Sequence, residues 1–110
     1  MHKKFNILFL KEAIDFLDNL SPLVRKKIYY NLDKASLVND PRLFKKLKDD
    51  IWEFRTKYSG NQYRLFAFWD KREKSKSLVI ATHGIIKKMD KIPKSQIEKA
   101  KQIRLEYFKE

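Results

Sequence analysis

Phe5, Ile7 and Phe9 fall at alternate positions within His2–Phe9, the period of a half-buried strand. Across Lys11–Leu20 the period lengthens: Ala13, Ile14, Leu17 and Leu20 recur at helical spacing, with Glu12, Asp15 and Asp18 opposite. Ser21-Pro22 then restarts the chain as an N-cap followed by proline at the first helical position. The second helix runs to about Val38, with Val24, Ile28, Leu32 and Ala35 as its buried stripe. Asn39-Asp40-Pro41 ends it, because proline lacks the N–H that the helical ladder needs. Two helices joined by so tight a turn make a helical hairpin.

Beyond Pro41 the pattern changes. Arg42–Lys48 reads as a basic connector anchored by Leu43, Phe44 and Leu47. Ile51–Lys57 and Gln62–Trp69 read as aromatic-rich strands on either side of the turn Tyr58-Ser59-Gly60-Asn61. Asp70–Ser75 is a charged loop, and Leu78–Ile85 is a further strand rich in β-branched residues. The basic loop Lys87–Lys94, with Pro93, leads to a last helix over Ser95–Phe108, with Ile97, Ala100, Ile103 or Arg104, and Tyr107 on one side. The order is β-α-α-β-β-β-α. Helices and strands are segregated, so the class is α+β: a helical hairpin and a C-terminal helix packed on an antiparallel sheet. At 110 residues the chain forms one domain over 1–110.

Composition narrows the picture. With 43% apolar residues the chain has a core to bury, despite a charged fraction of 36%. Cysteine is absent, which removes disulfides, thiolate metal sites and cysteine nucleophiles, and fits a reducing compartment. The segment Phe5–Leu10 is too short and too charged in its flanks for a signal peptide, and no run of about 18 apolar residues occurs. The chain therefore reads as cytoplasmic, with no membrane partner.

Charge matters through its placement. Residues 1–40 hold 7 basic and 5 acidic groups, whereas residues 41–110 hold 19 and 9, so nearly all of the net +12 lies in the second region. A field of one sign over one region attracts polyanions, of which phosphate backbones are the commonest in a cell. On period two, Trp52 and Phe54 share one sheet face while Glu53 and Arg55 share the other. If the hairpin pairs across its turn, Arg55 and Arg64 point to the same side. Two guanidiniums near Phe66 could clamp phosphates and stack on bases. The alternative for such an arginine is a cross-strand ion pair with structural purpose only.

Lys87 and Lys88 directly follow the last strand, and Lys45, Lys46 and Lys48 extend a basic rim. His83, beside Gly84, reads first as a satisfied structural histidine. Neither a His pair nor a regular carboxylate cluster suggests a metal, and no P-loop, dinucleotide fingerprint or nucleophile elbow occurs.

The stretch Leu47–Tyr107 contains Trp52-Glu53-Phe54-Arg55, Tyr63-Arg64, His83-Gly84-Ile85-Ile86-Lys87-Lys88, Pro93 and Ile97-Glu98-Lys99-Ala100. In these motifs and their order it resembles the phage-derived, HigB-like toxins of the RelE/ParE superfamily, and the preceding helical hairpin fits as well. The resemblance implies a RelE-like fold and the toxin of a bacterial type II toxin–antitoxin pair. It implies a ribosome-dependent, metal-independent endoribonuclease that cuts mRNA with no cofactor. The 2′-hydroxyl attacks the adjacent phosphorus, and basic side chains stabilise the crowded phosphorane-like charge. Arg64 corresponds to phosphate stabilisation, Arg55 to a neighbouring phosphate clamp, and Lys87 and Lys88 to the scissile phosphate or leaving group. Lys45, Lys46 and Lys48 would grip mRNA or ribosomal RNA. Some relatives use a C-terminal Tyr or His as acid or base, and here Tyr107 is the first such residue after Lys88. The implied partners are a cognate HigA-like helix-turn-helix antitoxin, mRNA on the ribosome, and DNA indirectly through the antitoxin complex. The alternatives are a ParE-type gyrase inhibitor on the same fold and a non-catalytic nucleic-acid-binding module.

Overall fold

The computed structural model describes residues 2–74, 77–88 and 91–110; Ser75 of the charged loop and Met89 and Asp90 of the basic loop lie outside the described residues. The elements are β1 (Asn6–Phe9), α1 (Lys11–Asp18), α2 (Pro22–Leu37), β2 (Phe44–Lys46), β3 (Trp52–Tyr58), β4 (Asn61–Asp70), β5 (Leu78–Lys87) and α3 (Lys94–Lys109). They form one five-stranded sheet in the order β1-β5-β4-β3-β2. The α+β layout is the one the sequence predicts, with two differences in the sheet.

The first difference is at one edge. β1 pairs with β5 in parallel, Ile7 opposite Val79, so the sheet is mixed. The chain leaves β1 through the helical hairpin, enters the sheet at its far edge and meanders back, which brings the last strand alongside the first. The second difference is β2. The expected basic connector contains a three-residue strand, antiparallel to β3, that lays the buried Phe44 ring on Phe54 at 4.2 Å. Three residues are too few for an alternation to show in the sequence.

Local chemistry explains the turns. Ser21 Oγ accepts the backbone N–H of Val24 and Pro22 occupies the first turn of α2, as the cap-and-proline pattern requires. The β3–β4 hairpin closes on Ser59 and Gly60, both at positive φ (51° and 84°), directly beyond the Tyr58–Asn61 pair. Two consecutive left-handed residues match the twist of the strands they join.

Each sheet face has its own core. Phe54, Tyr63, Leu65, Ala67, Val79 and Ala81 pack beneath α1 and α2, against Ala13, Leu17, Ile28, Leu32 and Ala35. Ile14, expected in that stripe, is 45% exposed because it flanks the Ala13–Leu17 line on the helix. On the other face Phe66, Phe68 and Ile80 pack with Ala100, Ile97, Tyr107 and Phe108 of α3. Burying each of these fully enclosed phenylalanines contributes about 2–3 kcal/mol. Where α1 crosses β5 the approach is so close that a Cβ on Gly84 would collide with the Phe16 ring.

One irregularity sets the geometry of the site. The β4–β5 register shifts between Phe66, opposite His83, and Ala67, opposite Ala81, leaving Thr82 as the extra residue of a β-bulge. Before the bulge, Val79 and Ala81 serve the core under α1 and α2. After it, His83, Ile85 and Lys87 share the face of α3.

Candidate nucleic-acid interface

The register places Arg55 directly opposite Arg64, and Arg64 opposite Ile85. On one side of this row lies Lys57–Gln62–Lys87, and on the other Glu53–Phe66–His83. Paired residues of neighbouring strands point the same way, so Glu53, Arg55, Lys57, Gln62, Arg64 and Lys87 share the face on which α3 packs. α3 starts over the His83 row, where Gln96 meets His83, and ends over Asp70, which Tyr107 reaches. The arginine row therefore lies beyond the start of α3.

Glu53 is the residue that organises the pair. Its buried carboxylate lies 3.2 Å from Arg64 Nε and 3.7 Å from Arg55 Nε. Glu53 Oε1 and both Nε atoms are nevertheless without an aligned hydrogen bond. The charges attract, but the N–H groups are not aimed at the oxygens. Arg64 has its side chain wholly enclosed; Nη2 donates to Gln62 Oε1 (2.7 Å) and Nη1 to the Tyr63 carbonyl (3.4 Å). Burial pulls its guanidinium below the ordinary arginine range, Glu53 opposes that pull and Arg55 adds to it. Arg55 retains about 30% of its side-chain exposure and donates to the Pro41 carbonyl at 3.5 Å. The two arginines converge as expected, with Arg55 outermost and Arg64 beneath it, joined by a carboxylate that the motif Trp-Glu-Phe-Arg already put on their face.

The lysines divide. Lys87 is half-buried at the end of β5 and belongs to the arginine face, while Lys88 is exposed one residue past the strand. Lys45, opposite Glu53, is exposed on the same face. Lys46 points to the other face and lies 3.7 Å from Asp50, and Lys48 is exposed beyond β2. The expected RNA grip is therefore split between two faces.

In its place an open cleft of about 430 Å³ runs along the free edge of β3, past the point where β2 stops pairing. Arg55, Lys57 and Arg64 line one wall; Lys27, Asn31 and Lys34 of α2 line the other. Sequence reasoning missed these α2 residues because they meet the strand only through tertiary packing.

His83 and Tyr107 are engaged elsewhere. His83 is buried, stacks on Phe66 at 4.9 Å, and has Nε2 2.9 Å from Gln96 Oε1 and Nδ1 3.0 Å from Thr82 Oγ1. Burial pushes its imidazole below the usual range, and Lys99 pushes the same way; the Gln96 bond and Glu12 oppose them. The structural reading of this histidine fits its surroundings. Tyr107 donates to Asp70 Oδ2 at 2.7 Å, at the opposite end of β4 from Arg64. Asp70 lies six residue steps along β4 from Arg64, about 20 Å. Tyr107 is thus too far away to exchange protons at the arginine row.

Among the described residues no helix is long and apolar enough to cross a membrane. No curated protein matches the chain. A family model described as "Phage derived protein Gp49-like (DUF891)" matches residues 15–105, from within α1 to near the end of α3.

Proposed function

The chain belongs to the phage-derived Gp49-like family, a toxin-like family of the broad RelE/HigB class, and from that premise we propose that it is the mRNA-cleaving toxin of a type II toxin–antitoxin pair. The observation that carries this reading is the Arg55–Arg64 pair, opposed across β3 and β4 on one sheet face with Lys57 and Lys87 in the next row. Arg55, the outer guanidinium, meets the phosphate first. An arriving phosphate competes with Glu53 for the exposed part of Arg55, and Arg64, enclosed beneath it, adds its charge from below. The ribose 2′-oxygen then attacks the adjacent phosphorus, the bond to the 5′-oxygen breaks, and a cyclic phosphate and a free 5′-hydroxyl result. The added negative charge of the five-coordinate phosphorus falls beside the arginines, with Lys87 and Lys88 near the leaving oxygen.

In this reading the substrate is mRNA held on the ribosome, and a cognate antitoxin neutralises the protein. The test is incubation with programmed ribosomes, followed by mapping of the mRNA ends. Wild-type protein should cut, and Arg64→Ala should slow cutting by about 10²–10³-fold, the effect of removing one transition-state charge donor. Intact mRNA with both proteins would sink the proposal. Inhibition of gyrase supercoiling without RNA cleavage would move the protein to the ParE-type reading.

A further inference from the structure

The cleft along the free edge of β3 has two walls built from different parts of the chain. Lys27, Asn31 and Lys34 stand four and three residues apart on α2, so they share one helix face spanning about 10 Å. Arg55 and Lys57 stand two apart on β3, about 7 Å. Asn31 Nδ2 donates to Thr56 Oγ1 at 3.1 Å and pins the walls together midway. Asp40 and Arg42 close the Lys34 end, where Arg55 reaches the Pro41 carbonyl.

The charge of the cleft is one-sided. Among the described residues, six cationic ones line it (Lys27, Lys34, Arg42, Arg55, Lys57 and Arg64), and Asp40 is the single carboxylate. That carboxylate is already held by Arg42, whose Nε and Nη2 lie 3.1 and 2.9 Å from its two oxygens. Among the described residues of the lining Leu43 is the one that is apolar, so the cleft offers little to the side chains of a peptide. It offers spaced cations to a chain of spaced anions.

We propose that this cleft is a second phosphate-binding subsite, in which Lys27 and Lys34 of α2 hold the backbone of a single-stranded nucleic acid next to the phosphate that meets Arg55. The inference rests on the preceding section only in taking Arg55 as a phosphate contact. It assigns RNA binding to the helical hairpin, where the sequence carries little net charge, and it sets the strand path across the open edge of the sheet.

The test is the salt dependence of binding to a single-stranded RNA fully substituted with 2′-O-methyl groups, which cannot be cut by 2′-hydroxyl attack. The variant is Lys27→Gln/Lys34→Gln. Glutamine keeps the helix propensity of lysine, and a thermal melt verifies the fold. Loss of two phosphate contacts should lower the log–log salt slope by about 1.4. A control with the same charge loss at the other end of the sheet, Lys74→Gln/Lys109→Gln, should leave the slope unchanged. Single-stranded DNA should show the same loss, because the phosphate is the group recognised. An unchanged slope in the α2 variant, an equal drop in the control, or an equal loss of binding to polyglutamate would overturn the proposal. Failure of the cleavage reading looks different: intact mRNA on ribosomes together with the slope change leaves the subsite standing and removes only the reaction.

Discussion

Glu53 and Asp70 are both buried carboxylates on the α3 side of the sheet, and both face arginine. Asp70 is fully served. Arg72 meets its two oxygens with Nε at 3.0 Å and Nη2 at 2.8 Å, and its backbone N–H and the Tyr107 hydroxyl also donate. The Arg72 fork, followed by the Tyr107 hydroxyl, holds Asp70 well below the usual carboxylate range. Glu53 sits between two guanidiniums, yet its Oε1 accepts no aligned hydrogen bond. A saturated ion pair has nothing left to offer a ligand. At Glu53 the carboxylate oxygen and both Nε atoms are themselves buried, and only the outer part of the Arg55 guanidinium remains open. The difference separates a residue that fastens α3 to the sheet from one that holds two arginines together on one sheet face.

The contrast can be broken at either carboxylate. Glu53→Ala leaves the enclosed Arg64 without a countercharge, and breaking a buried pair in this way costs about 3–5 kcal/mol. It should give the largest drop in urea midpoint. Asp70→Asn should cost less, about 1–2 kcal/mol, because the side chain of Arg72 is more than half exposed and water screens the pair. Cleavage on programmed ribosomes should survive that change at the wild-type rate, measured at a temperature where the variant is folded. The acid limb should flatten as well. A carboxylate with a depressed folded pKa contributes above its unfolded value near pH 4, and that contribution disappears as pH falls through the folded value.

Smaller effects sharpen the comparison. Tyr107→Phe removes one of the donors to Asp70 and should cost about 0.5–1.5 kcal/mol in denaturant melts. A large loss of RNA cleavage in this variant would contradict the distance between Tyr107 and the arginine row. The smallest signal is a shallow pH slope from His83. Its folded pKa is depressed, so the unfolded chain binds the extra proton, and stability should fall as pH drops below about 6.5. His83→Gln should remove that slope in melts recorded between pH 7 and 5.5.

The sequence made some of this site legible, for identifiable reasons. Arg55 and Arg64 could be paired because strand alternation and the Ser59-Gly60 turn together determine a register. Glu53 was readable as their face-mate but not as their shared counterion, since that requires side-chain placement. Lys27 and Lys34 give no signal in the sequence, because only the packing of α2 on β3 brings them to the cleft. Tyr107 was ambiguous until the direction of α3 placed it over Asp70. The strand at Phe44 hid in a basic segment too short to show a period.

The bulge at Thr82 has a genetic consequence. Side chains alternate along β5, so the extra residue is what turns His83, Ile85 and Lys87 toward the arginine face. Loss of Thr82 alone would restore regular pairing with Lys87 still on the arginine face, whereas in-frame loss of one codon after the bulge, such as that of Ile86, would turn Lys87 to the opposite side. The encoded protein would retain every lysine and arginine and its full net charge. A search for inactivated copies that counts lost basic residues would pass over such an allele.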